Sequence, residues 1–138
     1  MVLGGVCSGK SSFIKENYKD GYVQIDAGDI FITLSAGEYI DFPSILEGKM
    51  NEIGLAQTLK AIKSKQNIVM EFIGDDYDDV SKLIDLLKAI GYEVNIQAIS
   101  CDEETALDRN AMRPDDSISA FYTQPYHFAW VREALNNR

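Results

Sequence analysis

The sequence predicts an α/β fold with a parallel sheet of four to five strands flanked by helices. Short apolar segments alternate along the chain with segments whose apolar residues recur every three to four positions, and this order favours parallel strands joined by helices on both faces. A second observation is that residues 4–11 have the pattern Gly-x-x-x-x-Gly-Lys-Ser/Thr. This pattern occurs between a strand and a helix and binds phosphate groups. The sequence therefore predicts a three-layer P-loop NTPase fold.

The fixed residues of this phosphate loop each have a physical reason. Gly4 and Gly9 permit backbone conformations that a Cβ would hinder, so that successive N–H groups can converge on one anion. The helix that begins near Lys10 adds the partial positive charge of its amino end. We expect Lys10 to reach the outer phosphates of a nucleoside triphosphate and the Ser11 hydroxyl to coordinate Mg²⁺; a plain glycine-rich turn is the alternative. The predicted nucleotide-binding residues are Gly4, Gly5, Val6, Cys7, Ser8, Gly9, Lys10, Ser11 and Ser12.

Four segments are predicted to be strands, one fewer than we expect for this fold class. The run 68–72 is apolar except for Glu71, which is typical of a buried parallel strand. The first strand has three residues before Gly4, so either the strand is abbreviated or the chain is trimmed. We expect the aromatic-rich tail, residues 118–135, to cover the edge that a fifth strand would fill. The predicted strands are residues 1–3, 22–26, 68–72 and 92–99.

The helices are predicted from apolar residues that recur at helical spacing. Asn51 is placed as the N-cap of one helix, and Gly91 is placed just beyond the end of another. Residues 36–49 contain two glycines and Pro43, so this stretch is predicted to be loop with at most a short helix. The predicted helices are residues 10–18, 29–35, 51–65, 80–90 and 103–112, with a further helix kinked or started at Pro125.

Composition limits the class of protein and its partners. With 138 residues, 46% hydrophobic and 25% charged, the chain is predicted to form one soluble globular domain. It has no run of eighteen apolar residues and no basic leader, so we expect neither a membrane span nor a secretory signal, and a cytoplasmic location. Cys7 and Cys101 are predicted to be free thiols. The net charge of −9 argues against a nucleic-acid partner but still permits a small anionic ligand in a local positive pocket. The sequence leaves the oligomeric state open.

Segments beyond the phosphate loop resemble those of known phosphotransferases. Residues 24–31, Gln-Ile-Asp-Ala-Gly-Asp-Ile-Phe, resemble the segment after the second strand of nucleoside monophosphate kinases and the Asp-x-Phe segment of zeta-toxin-type and polynucleotide-kinase-type enzymes. Residues 67–71, 91–94 and Arg109-x-x-x-Arg113 are similar to the zeta-toxin group in order and spacing. This resemblance implies a P-loop kinase that moves the γ-phosphoryl group of ATP, with Mg²⁺, to a hydroxyl or phosphate of a small molecule. It also implies a single domain, residues 1–138, with an acceptor-side helical insertion at 36–66 and a lid-like segment at 109–120.

The resemblance also implies roles for individual residues. Asp29, or failing that Asp26, would orient or deprotonate the acceptor hydroxyl; helix N-capping is the alternative for both. Glu71 needs a polar partner if its strand is buried. A Mg²⁺-bound water, or Ser11 through that water, would be such a partner; a structural hydrogen bond is the alternative. Arg109 and Arg113 lie on one helix face and would close over the phosphates, unless they are a surface pair. The predicted catalytic residues are Lys10, Asp29, Arg109 and Arg113, and the predicted metal site comprises Ser11 and, through water, Glu71.

The chain departs from the monophosphate kinases at one point. Those enzymes carry an arginine three residues after the aspartate, to hold the phosphate of the acceptor, whereas this chain has no arginine between Lys19 and Lys49. A nucleoside monophosphate is therefore disfavoured as the acceptor, and a nucleotide-binding protein without kinase activity stays open as the alternative function. A GTPase is disfavoured because no Asn-Lys-x-Asp motif is present. The aspartates at 75–79 are predicted to cap a helix, and His127 to pack or to cap.

Overall fold

The computed structural model of the protein describes residues 1–36, 44–113 and 129–137. Strands and helices alternate along these residues as predicted, and each predicted element that lies within them has a counterpart. The elements are β1 (Val2–Leu3), α1 (Lys10–Asn17), β2 (Tyr22–Asp26), α2 (Ala27–Ser35), a 3₁₀ turn (Ser44–Leu46), α3 (Glu47–Lys63), β3 (Asn67–Phe72), α4 (Tyr77–Ala89), β4 (Gln97–Ala98), α5 (Glu103–Ala111) and α6 (Ala129–Asn136).

The four strands of the described residues form one parallel sheet in the order β2-β3-β1-β4. β1 lies between β3 and β4, and its Val2 pairs with Glu71 of β3. Asp26, at the end of β2, pairs with Glu71 from the other side. Because all the strands run in the same direction, the phosphate loop, Asp26 and Glu71 meet at the carboxyl edge of the sheet. The predicted α/β fold is confirmed.

The core lies on both faces of β1, since successive side chains of a strand point to opposite sides. Leu3 is fully buried against α4 and α6, and Val2 is buried on the α1 side. This arrangement of helix, sheet and helix accounts for the three layers. The first cluster comprises Leu3, Val80, Ile84, Val131 and Leu135, and the second comprises Val2, Ile14 and Val69.

The last strand is much shorter than the predicted residues 92–99. β4 comprises only Gln97 and Ala98, because β1, its one neighbour among the described strands, is itself two residues long. The backbone N–H of Gln97 donates to the Met1 carbonyl, and that of Ile99 donates to the Leu3 carbonyl. Residues 92–96 precede this pairing and are not part of a strand, although the Met1 amino group donates to the Asn95 carbonyl at 2.6 Å.

Three helices begin earlier than predicted, among them α4, which begins at Tyr77 and not at residue 80. α3 begins at Glu47, directly after the 3₁₀ turn, so that Asn51 lies inside the helix and is not its N-cap. α2 begins at Ala27 because Asp26 caps it, its Oδ1 accepting a hydrogen bond of 2.7 Å from the Gly28 backbone N–H. The predicted cap by the aspartates at 75–79 is confirmed: Asp76 Oδ1 accepts from the Asp79 N–H at 2.9 Å. No cluster of three or more His, Cys, Asp or Glu that could hold a metal occurs within the described ranges.

Several predictions fall on residues 37–43 and 114–128, outside the described part of the chain. They include most of the predicted lid at 109–120, the helix at Pro125 and the packing of His127. The part of the tail that is described, α6, packs against α4 and β4. Among the described residues, every helix falls short of the length or apolar character that a membrane span requires.

Candidate functional site

The phosphate loop connects β1 to α1 in a strained conformation. Gly9 caps α1 in the left-handed region with φ 104°, and Cys7 also has a positive φ, 61°. Gly4 is needed for a different reason, because an added Cβ would lie 2.5 Å from the Ile99 carbonyl oxygen and 2.5 Å from Ser8 Oγ. The two glycines of the motif are therefore required here, one by backbone conformation and the other by space.

Replacing Gly4 with alanine is expected to lower the free energy of unfolding by about 1–3 kcal/mol, because a methyl group must displace backbone in a packed interior. Gly48→Ala is the matched control, since a Cβ there meets no atom within 4 Å and the residue lies in α3. That control is expected to gain up to about 1 kcal/mol from helix propensity. Urea unfolding of the two variants measures both changes. Equal effects would contradict the close packing at Gly4.

Lys10 is buried although it carries a charge, with 7% of its surface exposed. Its Nζ donates to the Gly5 carbonyl at 2.9 Å and lies 3.6 Å from Glu71 Oε1. The side chain therefore lies against the phosphate loop. Burial lowers the pKa of Lys10, an effect that the Glu71 carboxylate opposes. A cation that is largely excluded from solvent interacts strongly with an anion placed beside it.

Glu71 and Ser11 form the second polar contact of the site. Ser11 Oγ donates to the Glu71 carboxylate, at 3.1 Å from Oε2 and 3.3 Å from Oε1. Burial raises the pKa of Glu71, while Lys10 and the Ser11 hydroxyl act in the opposite direction. A hydroxyl and a carboxylate are the hard oxygen donors that Mg²⁺ accepts alongside substrate phosphates and water. The residues present therefore fit a magnesium ion at this point.

Both predicted arginines lie at the phosphate loop, Arg109 in the last turn of α5 and Arg113 two residues beyond the end of that helix. Arg109 Nη1 donates to the Cys7 carbonyl at 3.1 Å. Arg113, four residues further on, lines the same cavity of about 180 Å³. The cavity is lined by Cys7, Gly9, Lys10, Ser11, Ser12, Glu71, Arg109 and Arg113. Three cations therefore surround a space beside the loop, an arrangement suited to a polyphosphate.

The two candidate acceptor carboxylates lie at a second cavity, of about 370 Å³, between α2 and α3. Asp26 is the N-cap of α2, while Asp29 lies in the first turn of that helix. Burial raises the pKa of Asp29, and the neighbouring Asp26 carboxylate raises it further. Because Asp26 pairs with Glu71 in the sheet, this cavity adjoins the phosphate-binding region.

Sequence reasoning missed one buried cation near the site. Arg132 of α6 is 7% exposed, and its Nη1 donates to the Ile73 carbonyl at 3.1 Å. This bond secures the chain just after β3, next to Gly74, whose φ is 71°. The signal was available: Val131 and Leu135 have the four-residue spacing of a buried helix face, and Arg132 adjoins it.

A phosphate loop at the carboxyl edge of a parallel sheet ordered β2-β3-β1-β4 defines a member of the P-loop kinase superfamily. The zeta toxin family model matches residues 45–132, which is nearly two thirds of the chain. The chain therefore belongs to the zeta toxin family, whose members are P-loop phosphotransferases. The matched region begins after the phosphate loop, so the loop is independent evidence for the same superfamily.

A solved structure supports the same fold. The chain superposes on part of the Pnkp1/Rnl/Hen1 RNA repair complex with a TM-score of 0.62 and 18% sequence identity. The alignment covers 96% of this chain and 44% of the other, so this chain spans less than half of that protein. At this identity the similarity establishes the fold alone. A search of curated proteins found no match.

Proposed function

We propose that the protein is an ATP-dependent phosphotransferase that moves the γ-phosphoryl group of Mg²⁺–ATP to a small-molecule acceptor. The convergence of three cations, Lys10, Arg109 and Arg113, on the cavity beside the phosphate loop carries this proposal. Phosphoryl transfer needs positioned phosphates and positive charge near the transferred group. A reducing cytoplasm supplies ATP and suits a chain whose Cys7 and Cys101 form no disulfide in the structure.

The donor half of the proposed site has a distinct task for each side chain. The loop N–H groups and the amino end of α1 bind the phosphates, and Lys10 places its charge on the outer ones. Ser11 and, through water, Glu71 would hold Mg²⁺, which when bound neutralises charge on the phosphates. Arg109 fixes the loop through the Cys7 carbonyl. We assign Arg113, two residues beyond the end of α5, to approach the transferred group, because Arg109 is already bonded to the loop.

The acceptor half of the proposed site is built on α2 and α3. Asp26 already serves as a helix cap. Asp29, whose pKa is raised, lines the cavity between α2 and α3, which we call the acceptor cavity. A carboxyl whose pKa moves upward is a stronger base for an acceptor hydroxyl. We therefore assign Asp29 to orient and deprotonate that hydroxyl. In this proposal residues 36–66 form the acceptor side of a single domain, and residues 109–120 its lid.

The proposal is tested by incubating the protein with γ-labelled ATP, Mg²⁺ and a panel of nucleosides, sugars, nucleotide sugars and their phosphates. Transfer of label to one of these compounds, dependent on Mg²⁺, is the expected result. Calorimetry with ATP in parallel separates the alternatives. Binding of ATP with transfer to none of them would assign a nucleotide-binding module instead, and absence of binding would remove both functions.

A further inference from the structure

The two cysteines of the chain meet at the phosphate loop although they lie 94 positions apart in the sequence. Cys101 Sγ lies 3.8 Å from the Cys7 carbonyl oxygen, and that same oxygen accepts the hydrogen bond of 3.1 Å from Arg109. Cys101 follows β4 and directly precedes Asp102, the N-cap of α5. The Cys101 thiol therefore lies beside the backbone of the loop, where β4 leads into the helix that carries Arg109.

Both thiol groups lie where a small oxidant can reach them. Cys7 is 8% exposed, yet it lines the cavity of about 180 Å³ beside the loop, the phosphate-binding cavity, and Cys101 is half-buried. Cys7 also has a positive φ, 61°, which is uncommon for a residue other than glycine. Its Sγ lies 3.8 Å from Asn110 Oδ1, and a thiol is a weak donor. This contact therefore costs little to break when the Cys7 side chain turns.

We propose that Cys7 and Cys101 form a reversible disulfide on oxidation and that this bond weakens nucleotide binding. Hydrogen peroxide oxidises one thiol to a sulfenic acid and is itself reduced to water. The sulfur of the other cysteine then attacks the sulfenic sulfur, and the hydroxyl group leaves as water with the proton of that second thiol. Two thiols and one hydrogen peroxide thus become one disulfide and two waters, and a dithiol reductant restores both thiols. Transient disulfides of this kind occur even in reducing compartments.

The disulfide would act on the part of the loop that binds phosphate. The loop binds an anion through backbone N–H groups that converge on it, and the Cys7 carbonyl belongs to the same stretch of backbone. A covalent bond to Cys101 draws Cys7 towards the start of α5 and turns these N–H groups away from the phosphates. The loss of one hydrogen bond to a charged group weakens binding by about tenfold or more. This effect rests on the proposed nucleotide binding, whereas formation of the bond does not.

The test treats the full chain with hydrogen peroxide, blocks the remaining thiols with iodoacetamide and identifies linked peptides by mass spectrometry without reduction. A peptide pair joined through Cys7 and Cys101 is the expected product. Calorimetry then compares ATP binding before oxidation, after oxidation and after reduction with dithiothreitol. We expect the affinity to fall by about tenfold or more on oxidation and to return on reduction. Absence of the joined pair, or an oxidised protein that binds ATP as tightly as the reduced one, overturns the proposal.

Cys101→Ser is the matched variant, because it removes one sulfur from a residue that the proposed function does not use. Its ATP affinity is expected to match that of the reduced native protein and to survive treatment with peroxide. If the variant loses ATP binding on oxidation as the native protein does, the loss acts through Cys7 alone and the proposal is overturned. A disulfide between two copies of the chain, seen as a dimer on a non-reducing gel in place of the internal bond, overturns it as well.

The disulfide and the proposed function fail in different ways. Unchanged ATP binding after the internal bond has formed removes the effect of the disulfide and leaves the phosphotransferase intact. A reduced native protein that binds no ATP removes the proposed function, and the effect on nucleotide binding falls with it. The joined peptides report in either case whether the bond forms.

Discussion

Replacing Lys10 with methionine is expected to reduce phosphoryl transfer by at least about a hundredfold. The loss of one positioned charge-stabilising donor in a water-excluded site typically costs a factor of about 10²–10³. Lys10 meets this description because it is 7% exposed and lies against the phosphate loop. Methionine keeps the length of the apolar stem but removes the charge and the hydrogen bond to the Gly5 carbonyl. Single-turnover transfer of label from γ-labelled ATP measures the effect.

The buried partner of Lys10 requires a control. Without its cation, Glu71 would remain as a largely buried carboxylate, with 13% of its side chain exposed, and the fold itself would be destabilised. The double variant Lys10→Met/Glu71→Gln removes both charges and is expected to recover much of the lost thermal stability. Its transfer activity is expected to stay low. A Lys10→Met protein that is folded and still transfers phosphate at the native rate would refute the proposed role.

The phosphate loop could be predicted from the sequence because its determinants are local. Gly9 supplies a positive φ at the helix start, and Lys10 and Ser11 follow it directly, so that spacing alone fixes their relation. The strand that holds Glu71 was also predictable from local sequence, because it is a continuous apolar run. The single carboxylate in that run indicated that Glu71 has a polar partner. The structure places the Ser11 hydroxyl 3.1 Å from that carboxylate.

Features that depend on contacts distant in sequence were not predictable to the same extent. The length of β4 is set by β1, more than ninety residues earlier in the chain, and no local pattern carries that information. α3 begins at Glu47 because a 3₁₀ turn leads into it without a side-chain cap, so the cap rule placed its start four residues too late. Arg132 is buried by its bond to the Ile73 carbonyl, which only the folded chain brings near.

Asp29 and Asp26 are alternative candidates for the residue that orients the acceptor hydroxyl, and the structure gives them different environments. Asp26 Oδ1 accepts a hydrogen bond from the Gly28 N–H at 2.7 Å and caps α2, while Asp29, only partly buried, lies in the first turn of that helix and lines the acceptor cavity. Asp29→Asn is therefore expected to lower transfer by about 10²–10⁴, the usual contribution of a general base. ATP affinity is expected to be unchanged, since Asp29 does not line the phosphate-binding cavity.

The matched variant Asp26→Asn separates the two carboxylates. Asparagine caps helices as well as aspartate does, so this protein is expected to fold normally and to keep transfer within a fewfold of the native rate. The pH profile adds an independent readout: because the pKa of Asp29 is raised, native activity should fall on acidification at a pH above the ordinary aspartate range. That acidic limb should persist in Asp26→Asn, moved to lower pH because the Asp26 charge no longer raises the pKa of Asp29, and it should vanish from the residual activity of Asp29→Asn. The reverse pattern would assign the acceptor hydroxyl to Asp26 and leave Asp29 as a part of the cavity wall.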